Sequence, residues 1–358
     1  MNKPNRLHKG DKVAIVSLSS GILGESFVKH ELDLSIKRLE ELGLVPVFMP
    51  NSLKGLDFIK NNPEARANDL KQAFEDTSIK AIICAIGGND THTTLPYLLS
   101  DEAFKQNVKN NPKIFLGFSD TTTNHLMLYK LGLTTFYGQA LLTDIAEFEP
   151  EMLPYTKEAF DWLFNPTETR EIKSSPVWYQ DRTDFSPAAV GTLRIKHTDT
   201  KGYELLQGNG IVKGQVLGGC LDVLGNFIGL ESSHEVAPEI LENYNVFPSL
   251  EEWSNKIMFI ETSEVKMSPE SFKTAIQKLK TIGVFKQISG LLVGKPIDEV
   301  YYEEYKQILK EELCDYALPI LYNINIGHAY PHTILPLGTL AEIDCENKTL
   351  TLLENPLN

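Results

Sequence analysis

Residues 113–121 read Lys-Ile-Phe-Leu-Gly-Phe-Ser-Asp-Thr, and this short stretch indicates the class of fold. The apolar run at 113–118 predicts a buried strand, and it leads directly into Ser119-Asp120-Thr121 and a helical pattern that continues to residue 131. A strand, an abrupt turn and a helix form the repeating unit of α/β proteins. Because open α/β sheets bind ligands beyond the carboxyl ends of their strands, Ser119 occupies a position typical of a functional residue.

The same alternation of strands and helices extends along the chain on both sides. Before residue 113, strands are predicted at 12–18, 45–49 and 80–86, and helices at 27–42 and 63–74. In the second half, strands are predicted at 257–260, 290–294 and 319–326, helices at 269–282 and 303–316, and a terminal hairpin at 340–344 and 349–353. Strands that alternate with helices of this length predict mostly parallel sheets that are covered on both faces.

Residues 149–208 interrupt this rhythm with many Pro, Ser, Thr and Asp residues around a few aromatic ones. We therefore predict two α/β domains with mostly parallel sheets, joined by a long irregular connector. The N-terminal domain spans residues 1–148 and carries the candidate serine, the connector spans 149–208, and the C-terminal domain spans 209–358. At 358 residues, the chain is long enough for two domains.

The charge balance excludes some classes of partner. Lys and Arg number 34 against 48 Asp and Glu, which gives a formal net charge of −14. Nucleic acids and anionic membrane surfaces require clustered positive charge, so neither is expected as a partner. No segment approaches the roughly 20 apolar residues of a membrane span, and the N-terminus lacks a long apolar region, so a cytoplasmic location is expected. We also expect a homodimer.

The four cysteines, Cys84, Cys220, Cys314 and Cys345, are far apart in the sequence and form no Cys-x-x-Cys pair. Three of them lie in apolar surroundings, which favours buried, reduced thiols over a disulfide framework or a zinc cluster.

Three reactive side chains follow predicted strands. Ser119 follows the strand at 113–118, Glu261 follows the strand at 257–260, and His328 follows the strand at 319–326. A histidine that accepts a proton from a serine must be oriented through its other ring nitrogen, usually by a carboxylate. Glu261 can do this if its strand is a neighbour of the strand before His328, and Glu264 is a competing candidate three residues later.

Each of these residues also has a structural interpretation, and for Glu261 it is a surface carboxylate at the end of a strand. Ser119 lies in a sequence rich in helix-capping residues, and it lacks the second glycine of the Gly-x-Ser-x-Gly elbow. A lone histidine after a strand is more often structural than catalytic. A metal site made of Glu261, His328 and His332 is a third possibility, but the spacing of known zinc motifs is absent, so we predict neither a metal nor a cofactor.

Two pairs of glycines admit similar alternatives. In Ile86-Gly87-Gly88-Asn89-Asp90, backbone N–H groups can approach a ligand closely and stabilise an oxyanion or a phosphate, or the pair can simply form a tight turn. The sequence is neither Gly-x-Gly-x-x-Gly nor a Walker loop, so nucleotide binding of those types is not indicated. Gly218-Gly219 is equally typical of close packing between a helix and a strand.

Taken in order, these motifs resemble the LD-carboxypeptidase family of serine peptidases, which includes the microcin C immunity peptidases. The match comprises Gly87-Gly88, Gly-Phe-Ser119-Asp-Thr, Gly-Gln-Val-Leu-Gly-Gly-Cys, Phe-Ile-Glu261-Thr-Ser-Glu, Gly-Leu-Leu-Val-Gly and Asn-Ile-Gly-His328. It runs from about residue 10 to the C-terminus and weakens in the connector.

The resemblance implies a catalytic triad of Ser119, His328 and Glu261. It also implies an oxyanion hole formed by the backbone N–H groups of Gly88 and Asp120. In this interpretation the enzyme hydrolyses an amide bond near a carboxy terminus through an acyl-enzyme. The substrate is a small peptide, such as a muropeptide with an L-D bond, or a microcin-type aminoacyl-nucleotide amide.

The length, the Gly-Gly-Asn-Asp turn and the aromatic connector resemble the microcin-immunity branch more than the murein-recycling branch. The turn departs from the Gly-Gly-x-Asn-Ser form expected of the immunity branch. Asn89, Trp178 and Lys266 are candidate substrate-binding residues. Trp178 would stack on a planar group or simply pack within the connector, and Lys266 would bind a terminal carboxylate or remain a solvated surface charge.

Two other functions compete with the peptidase. A non-catalytic protein that binds a small ligand in a cleft between two α/β lobes would use the same strand ends without a triad. A nucleotide-binding transferase on a doubly wound sheet is disfavoured because the phosphate-binding motifs are missing.

Overall fold

The computed structural model describes residues 1–230 and 236–358, and contains two main β-sheets surrounded by helices. The strands are β1 (Lys12–Val16), β2 (Val45–Phe48), β3 (Ile79–Cys84), β4 (Ile114–Gly117), β5 (Phe136–Tyr137), β6 (Arg170–Ile172), β7 (Val177–Tyr179), β8 (Lys196–Thr198), β9 (Glu204–Gln207), β10 (Ile211–Cys220), β11 (Lys256–Glu261), β12 (Gly290–Gly294), β13 (Ile320–Ile324), β14 (Leu335–Pro336), β15 (Leu340–Asp344) and β16 (Thr349–Leu352). The helices are α1 (Lys29–Glu41), α2 (Leu56–Asn61), α3 (Pro63–Glu75), α4 (Leu95–Leu99), α5 (Glu102–Asn110), α6 (Thr122–Lys130), α7 (Pro154–Asp161), α8 (Leu221–Phe227), α9 (Pro238–Asn243), α10 (Leu250–Trp253), α11 (Pro269–Ile282) and α12 (Tyr302–Leu313).

The first sheet has the order β14-β5-β4-β3-β1-β2. Strands β1 to β5 pair in parallel, and β14, contributed from near the C-terminus, adds an antiparallel edge. All four residues of β4 are buried, as are five of the six in β3. Strands covered by helices on both faces read as continuous apolar runs, which explains why these two are visible in the sequence.

The second sheet has the order β6-β16-β15-β10-β11-β12-β13-β9. Its centre, β10 to β13, is parallel, whereas the strands on both edges are antiparallel. Helix α11 begins with Ser268 as its N-cap and Pro269 in its first turn, and it ends at Gly283, whose φ of 98° suits glycine. These start and stop signals make it one of the elements whose bounds were predicted residue for residue.

The segment 149–208 is more ordered than an irregular connector. It contains α7, the hairpin of β7 and β8, and the strands β6 and β9, which complete opposite edges of the second sheet. The two main sheets confirm the predicted α/β class, whereas the division of the chain at residues 148 and 209 stays a prediction.

The two sheets meet at the carboxyl ends of their parallel strands, and close packing there requires glycine. The N–H of Cys220 donates a 3.0 Å hydrogen bond to the hydroxyl of Thr122, at the start of α6. A Cβ on Gly219 would lie 2.7 Å from that same hydroxyl oxygen and would push the helix away. The packing interpretation of this glycine is therefore confirmed. Buried apolar residues of both sheets form one continuous core.

Most of the predicted elements are confirmed with small differences at their ends. The strand predicted at 319–326 ends at Ile324, next to Asn323, whose φ is 70° and where the pairing with β12 changes register. Cys84, Cys220 and Cys345 are buried, as expected. Among the described helices, none has both the length and the apolar content to cross a bilayer.

Candidate active site

Ser119 lies in the abrupt turn between β4 and α6, with φ = 63°. A non-glycine residue in this region costs about 1–2 kcal/mol, and such strain recurs where a strand turns sharply into a helix to expose a nucleophile. The turn has no room for a side chain at Gly117, where a Cβ would lie 2.7 Å from the hydroxyl of Thr121. The N-caps of the two helical segments after β4 are Phe118 and Thr121, and no capping hydrogen bond in the described part of the chain involves the Ser119 hydroxyl. This argues against the structural interpretation of Ser119.

Glu261 and His328 form a buried pair. Glu261, the last residue of β11, accepts a 2.7 Å hydrogen bond from Nδ1–H of His328, which follows β13. Burial would raise the pKa of Glu261, but the imidazole and the Tyr137 hydroxyl outweigh it and hold this pKa below its usual value. Burial would lower the pKa of His328, but the carboxylates of Glu261 and Glu264 outweigh it and raise the pKa to about 10.

The other ring nitrogen of His328 faces a second carboxylate. Nε2 lies 3.2 Å from Oε2 of Glu264, whose side chain is 61% exposed. Ser119 lines the same cavity as the ring, but no hydrogen bond between Ser119 and His328 is present in the described part of the chain. Catalytic hydrogen bonds are often long before substrate binds, so this geometry does not by itself rule out proton transfer between the two side chains.

Tyr137 is a site residue that sequence reasoning missed. Its hydroxyl donates a 2.6 Å hydrogen bond to Oε1 of Glu261 and accepts a 3.2 Å hydrogen bond from the N–H of Ser119. The residue lies on β5, a strand of two residues that is too short to give a periodic pattern. The available signal was a Phe-Tyr-Gly sequence after a helix, which indicates a strand but not the direction of the tyrosine.

The Gly87-Gly88 turn lies against the serine. A Cβ on Gly87 would be 2.9 Å from Oγ of Ser119 and 3.6 Å from the backbone nitrogen of Asp120. Within the residues described, the N–H groups of Gly88 and Asp120 donate no hydrogen bond to the protein. Two free donors beside a hydroxyl can stabilise the negative charge that develops on an attacked carbonyl.

Buried polar contacts hold the turn that contains Asp120 and the loop that contains Gly88. The carboxylate of Asp120 accepts hydrogen bonds from the hydroxyl of Ser19, at 2.5 Å, and from the N–H of Thr91, at 2.9 Å. Arg66, which is fully buried, donates to Asp90 at 2.7 Å and to the carbonyl of Leu18 at 3.1 Å.

Two cavities meet at the serine. The first, of about 500 Å³, is mostly apolar, and Ser119, Gly88 and Glu264 line both it and the second, of about 690 Å³. The first is also lined by Ile22, Phe27, Leu142, Phe148, Arg182, Phe185, Arg194, His328 and Tyr330. The second is also lined by Asn89, Cys220, Asp222, Asn226, Ser263, Ser271, Thr274 and Lys278.

The structure separates the three predicted substrate-binding residues. Asn89 is exposed on the second cavity. Trp178 stacks on His197, with ring centroids 4.1 Å apart, and is not among the described residues that line either cavity. Lys266 forms a 2.8 Å ion pair with Asp298 and likewise lines neither of the two.

Potential metal ligands lie at the same place. Cys220, Glu261 and His328 place ligand atoms within 4.8 Å of one another. An ion between Glu261 and His328 would need about 2.0–2.2 Å to each ligand atom, so it would break their 2.7 Å hydrogen bond. His332 is instead paired with Asp144, at 2.9 Å. The residues therefore fit a proton relay better than a metal centre.

Comparison with known proteins agrees with this geometry. Residues 13–138 match the N-terminal domain of LD-carboxypeptidases, and residues 213–343 match the C-terminal domain. The microcin C7 self-immunity protein MccF of Escherichia coli is 28% identical over 84% of this chain and 82% of its own. A probable murein peptide carboxypeptidase of Bacillus subtilis is 26% identical over 98% of this chain and 94% of its own.

A solved structure is more similar still. The MccF-like protein from Streptococcus pneumoniae, determined in complex with AMP, is 50% identical, with a TM-score of 0.90 over 96% of this chain and 98% of its own. Both domain matches and this identity over nearly the whole length lead to one conclusion. The chain belongs to the LD-carboxypeptidase family and is a hydrolase of the serine carboxypeptidase type.

Proposed function

We propose that the protein hydrolyses an amide bond near a carboxy terminus with a catalytic triad of Ser119, His328 and Glu261. The observation that carries this proposal is the buried 2.7 Å hydrogen bond between Glu261 and Nδ1 of His328, in a site where Ser119 has a strained backbone. Glu261 holds the ring and stabilises its charged form, while Nε2 faces the cavity that contains the serine.

The reaction is an acyl transfer. Oγ of Ser119 attacks the carbonyl carbon while Nε2 of His328 takes the hydroxyl proton. The N–H groups of Gly88 and Asp120 stabilise the oxyanion, and removal of one such donor typically raises the barrier by about 2.7–4 kcal/mol. His328 then gives its proton to the leaving amine, and water hydrolyses the ester on Ser119.

We infer that aminoacyl-nucleotide amides are substrates in addition to small peptides. The first cavity has the apolar volume for a planar base, with Phe148 and Phe185 on its wall. Arg182, over the Phe148 ring, and Arg194, over the Tyr330 ring, line it as well. Phe185 is 53% exposed and lines the cavity, so it is better placed than Trp178 to stack on a base. The relative from S. pneumoniae was solved with AMP, a ligand of this chemistry.

Recognition of a substrate carboxylate is assigned to the second cavity. Lys278 is the cation among the described residues that line it, and its ammonium donates a hydrogen bond to the carbonyl of Gly229. Lys266 is instead paired with a carboxylate, that of Asp298. Lys278→Met should raise KM for a tetrapeptide that ends in an L-D bond more than Lys266→Met does. The reverse order would restore Lys266 to the role predicted from the sequence.

Hydrolysis of two substrates tests the proposed reaction. The purified protein is incubated with the L-D tetrapeptide and with an aminoacyl-nucleotide amide, and the products are identified by mass spectrometry. Ser119→Ala should abolish hydrolysis of both and prevent covalent labelling by a fluorophosphonate, whereas Ser100→Ala, an exposed serine on α4's C-terminal side, should retain both properties. Tight ligand binding without turnover, in wild type and Ser119→Ala alike, would support the non-catalytic binding protein instead.

A homodimer in the cytoplasm completes the proposal. Arg194 lines the first cavity, and its neighbours in the sequence, Leu193 and Ile195, are 73% and 63% exposed. Large apolar side chains exposed together favour contact with another protein surface. Light scattering should give twice the chain mass of 40.2 kDa, and Leu193→Glu should reduce it to the monomer value.

A further inference from the structure

Nε2 of His328 has a neighbour that the triad does not require. This nitrogen must accept the proton of Ser119, yet it lies 3.2 Å from a carboxylate oxygen of Glu264. A ring nitrogen has one lone pair or one hydrogen, so it makes one strong hydrogen bond at a time. Glu264 and Ser119 therefore compete for the same atom.

We propose that Glu264 is a positioning residue that holds Nε2 of His328 in the free enzyme, and that the substrate must displace it before Ser119 can be deprotonated. This inference rests on the proposed function, because it assigns a role relative to the triad. Glu264 does not itself touch the reacting bond in this scheme. It controls when the base becomes available.

The two carboxylates around the ring differ in their exposure to solvent. The side chain of Glu261 is fully buried and held by Tyr137, whereas that of Glu264 is 61% exposed. Glu264 also lines both cavities at their junction, where a substrate that spans the scissile bond has to pass. A bound substrate would thus displace Glu264 while leaving Glu261 in place.

The remaining surroundings of the ring add little positive charge. Cys220 at the end of β10 offers its sulfur near the ring, Asp222 at the start of α8 interacts with His328 electrostatically, and the Phe118 ring packs edge-on with centroids 4.9 Å apart. With Glu261 and Glu264 on its two nitrogens, the imidazole donates from both and is therefore an imidazolium, which cannot accept a proton. The raised pKa of His328, about 10, agrees with this state.

Removal of the Glu264 carboxylate should make His328 available as a base at lower pH. Because Glu264 is largely exposed, Glu264→Gln should lower the pKa of His328 by about 0.5–1 unit, the lower end of what a nearby opposite charge causes. The acid limb of the profile of kcat/KM against pH should shift to lower pH by the same amount. At a given pH on that limb, kcat/KM would then be about three- to tenfold higher. Glu264→Asp keeps the charge and should move both values less.

The test uses two readouts that do not depend on each other. NMR titration of the His328 imidazole gives its pKa directly, and the resonance is assigned because it disappears in His328→Asn. A profile of kcat/KM against pH gives the position of the acid limb. Glu304→Gln removes an exposed carboxylate on α12 and serves as the control for loss of charge. Parallel downward shifts in Glu264→Gln alone would support the role of Glu264.

The outcomes separate this inference from the function on which it rests. An active wild-type enzyme whose His328 pKa and acid limb are the same in Glu264→Gln would overturn the role of Glu264 and leave the triad intact. A wild-type protein that hydrolyses neither substrate at any pH would overturn the proposed function itself.

Discussion

The hydroxyl of Tyr137 donates a 2.6 Å hydrogen bond to Glu261 and joins the two sheets at the site. Tyr137 lies on β5 of the first sheet, and Glu261 ends β11 of the second. The same hydroxyl accepts a hydrogen bond from the N–H of Ser119, so one phenol contacts both the carboxylate and the serine backbone of the proposed triad. Burial, together with the neighbouring carboxylate, raises the pKa of Tyr137 well above its usual value, which keeps the phenol a donor.

Tyr137→Phe should therefore impair both catalysis and stability. It leaves one oxygen of the buried Glu261 without a partner, which costs about 1–3 kcal/mol in the free energy of unfolding. If about 1.4 kcal/mol of this appears in the barrier, kcat falls about tenfold. Urea unfolding and steady-state kinetics measure the two effects. Tyr129→Phe, on α6 and packed against the core, is the matched control, and equal losses in both variants would contradict a special role for Tyr137.

The activity should depend steeply on pH. A pKa of about 10 for His328 in the free enzyme means that the neutral base is scarce at pH 7. Since kcat/KM reports the free enzyme, it should rise about tenfold per pH unit through the neutral range and level off near pH 10. A profile of kcat/KM from pH 5 to 10.5 checks this expectation, and a plateau already reached at pH 7 would contradict it.

The same ion pair links stability to pH. The pKa of His328 is raised from 6.5 on folding, so its contribution is present in full below about pH 6.5 and is lost as pH rises through about 10. The pKa of Glu261 is lowered, so its contribution is present above its unfolded value of 4.5 and is lost as pH falls below that value. The difference in unfolding free energy between wild type and Glu261→Gln should hence be largest between about pH 5 and 6.5. Urea titrations at pH 4, 6 and 10.5 measure it, and a difference that grows at pH 10.5 would be inconsistent with the pair.

Gly327 lies against the carboxyl group of Glu261, a member of the proposed triad, and one substitution there should affect activity. Its φ is 80°, and a Cβ there would collide with the carboxyl group of Glu261. Gly132 has a similar φ of 87°, but a Cβ there would meet nothing within 4 Å. Both Gly→Ala variants should lose about 1–2 kcal/mol of stability to backbone strain. Gly327→Ala alone should also lose most of its activity, and equal kcat values in the two variants would refute this assignment.

The sequence was most informative where one strand is covered on both faces. Apolar runs predicted β3, β4, β11 and β12. Two of the candidate site residues, Ser119 and Glu261, were identified because they lie just after β4 and at the end of β11. A short segment has too few residues to show a periodic pattern, so its sequence does not indicate which side chains are buried or where they point. Tyr137, on a strand of two residues, was missed for this reason.

The order within the connector was hidden for the same reason. Strands β6 and β9 are three and four residues long, and they are defined by pairing with β16 and β13 rather than by any pattern of their own. The sequence could suggest both Glu261 and Glu264 as partners of His328. It could not show that they contact opposite nitrogens of the ring, because that depends on the path of the loop after β11.

Arg66 contacts the segments on either side of the proposed oxyanion donors, and its removal should affect both folding and the reaction. The guanidinium is fully buried and donates to Asp90, to the carbonyls of Leu18 and Ser19, and to the hydroxyl of Thr93. Breaking a buried ion pair by removing one partner typically costs about 3–5 kcal/mol, so Arg66→Met should lower the unfolding free energy by about that amount.

Arg66→Lys keeps the charge but cannot reproduce the fork of donors, so it should fall between wild type and Arg66→Met in stability. In the lysine variant, kcat should fall more than KM rises, because the Gly88 turn that follows β3 loses part of its support while the cavities keep their side chains. Urea unfolding and kinetics on the L-D tetrapeptide measure both effects, with Arg6→Met, an exposed arginine, as the control. A lysine variant with wild-type kcat would show that the guanidinium stabilises the fold without positioning the proposed oxyanion donors.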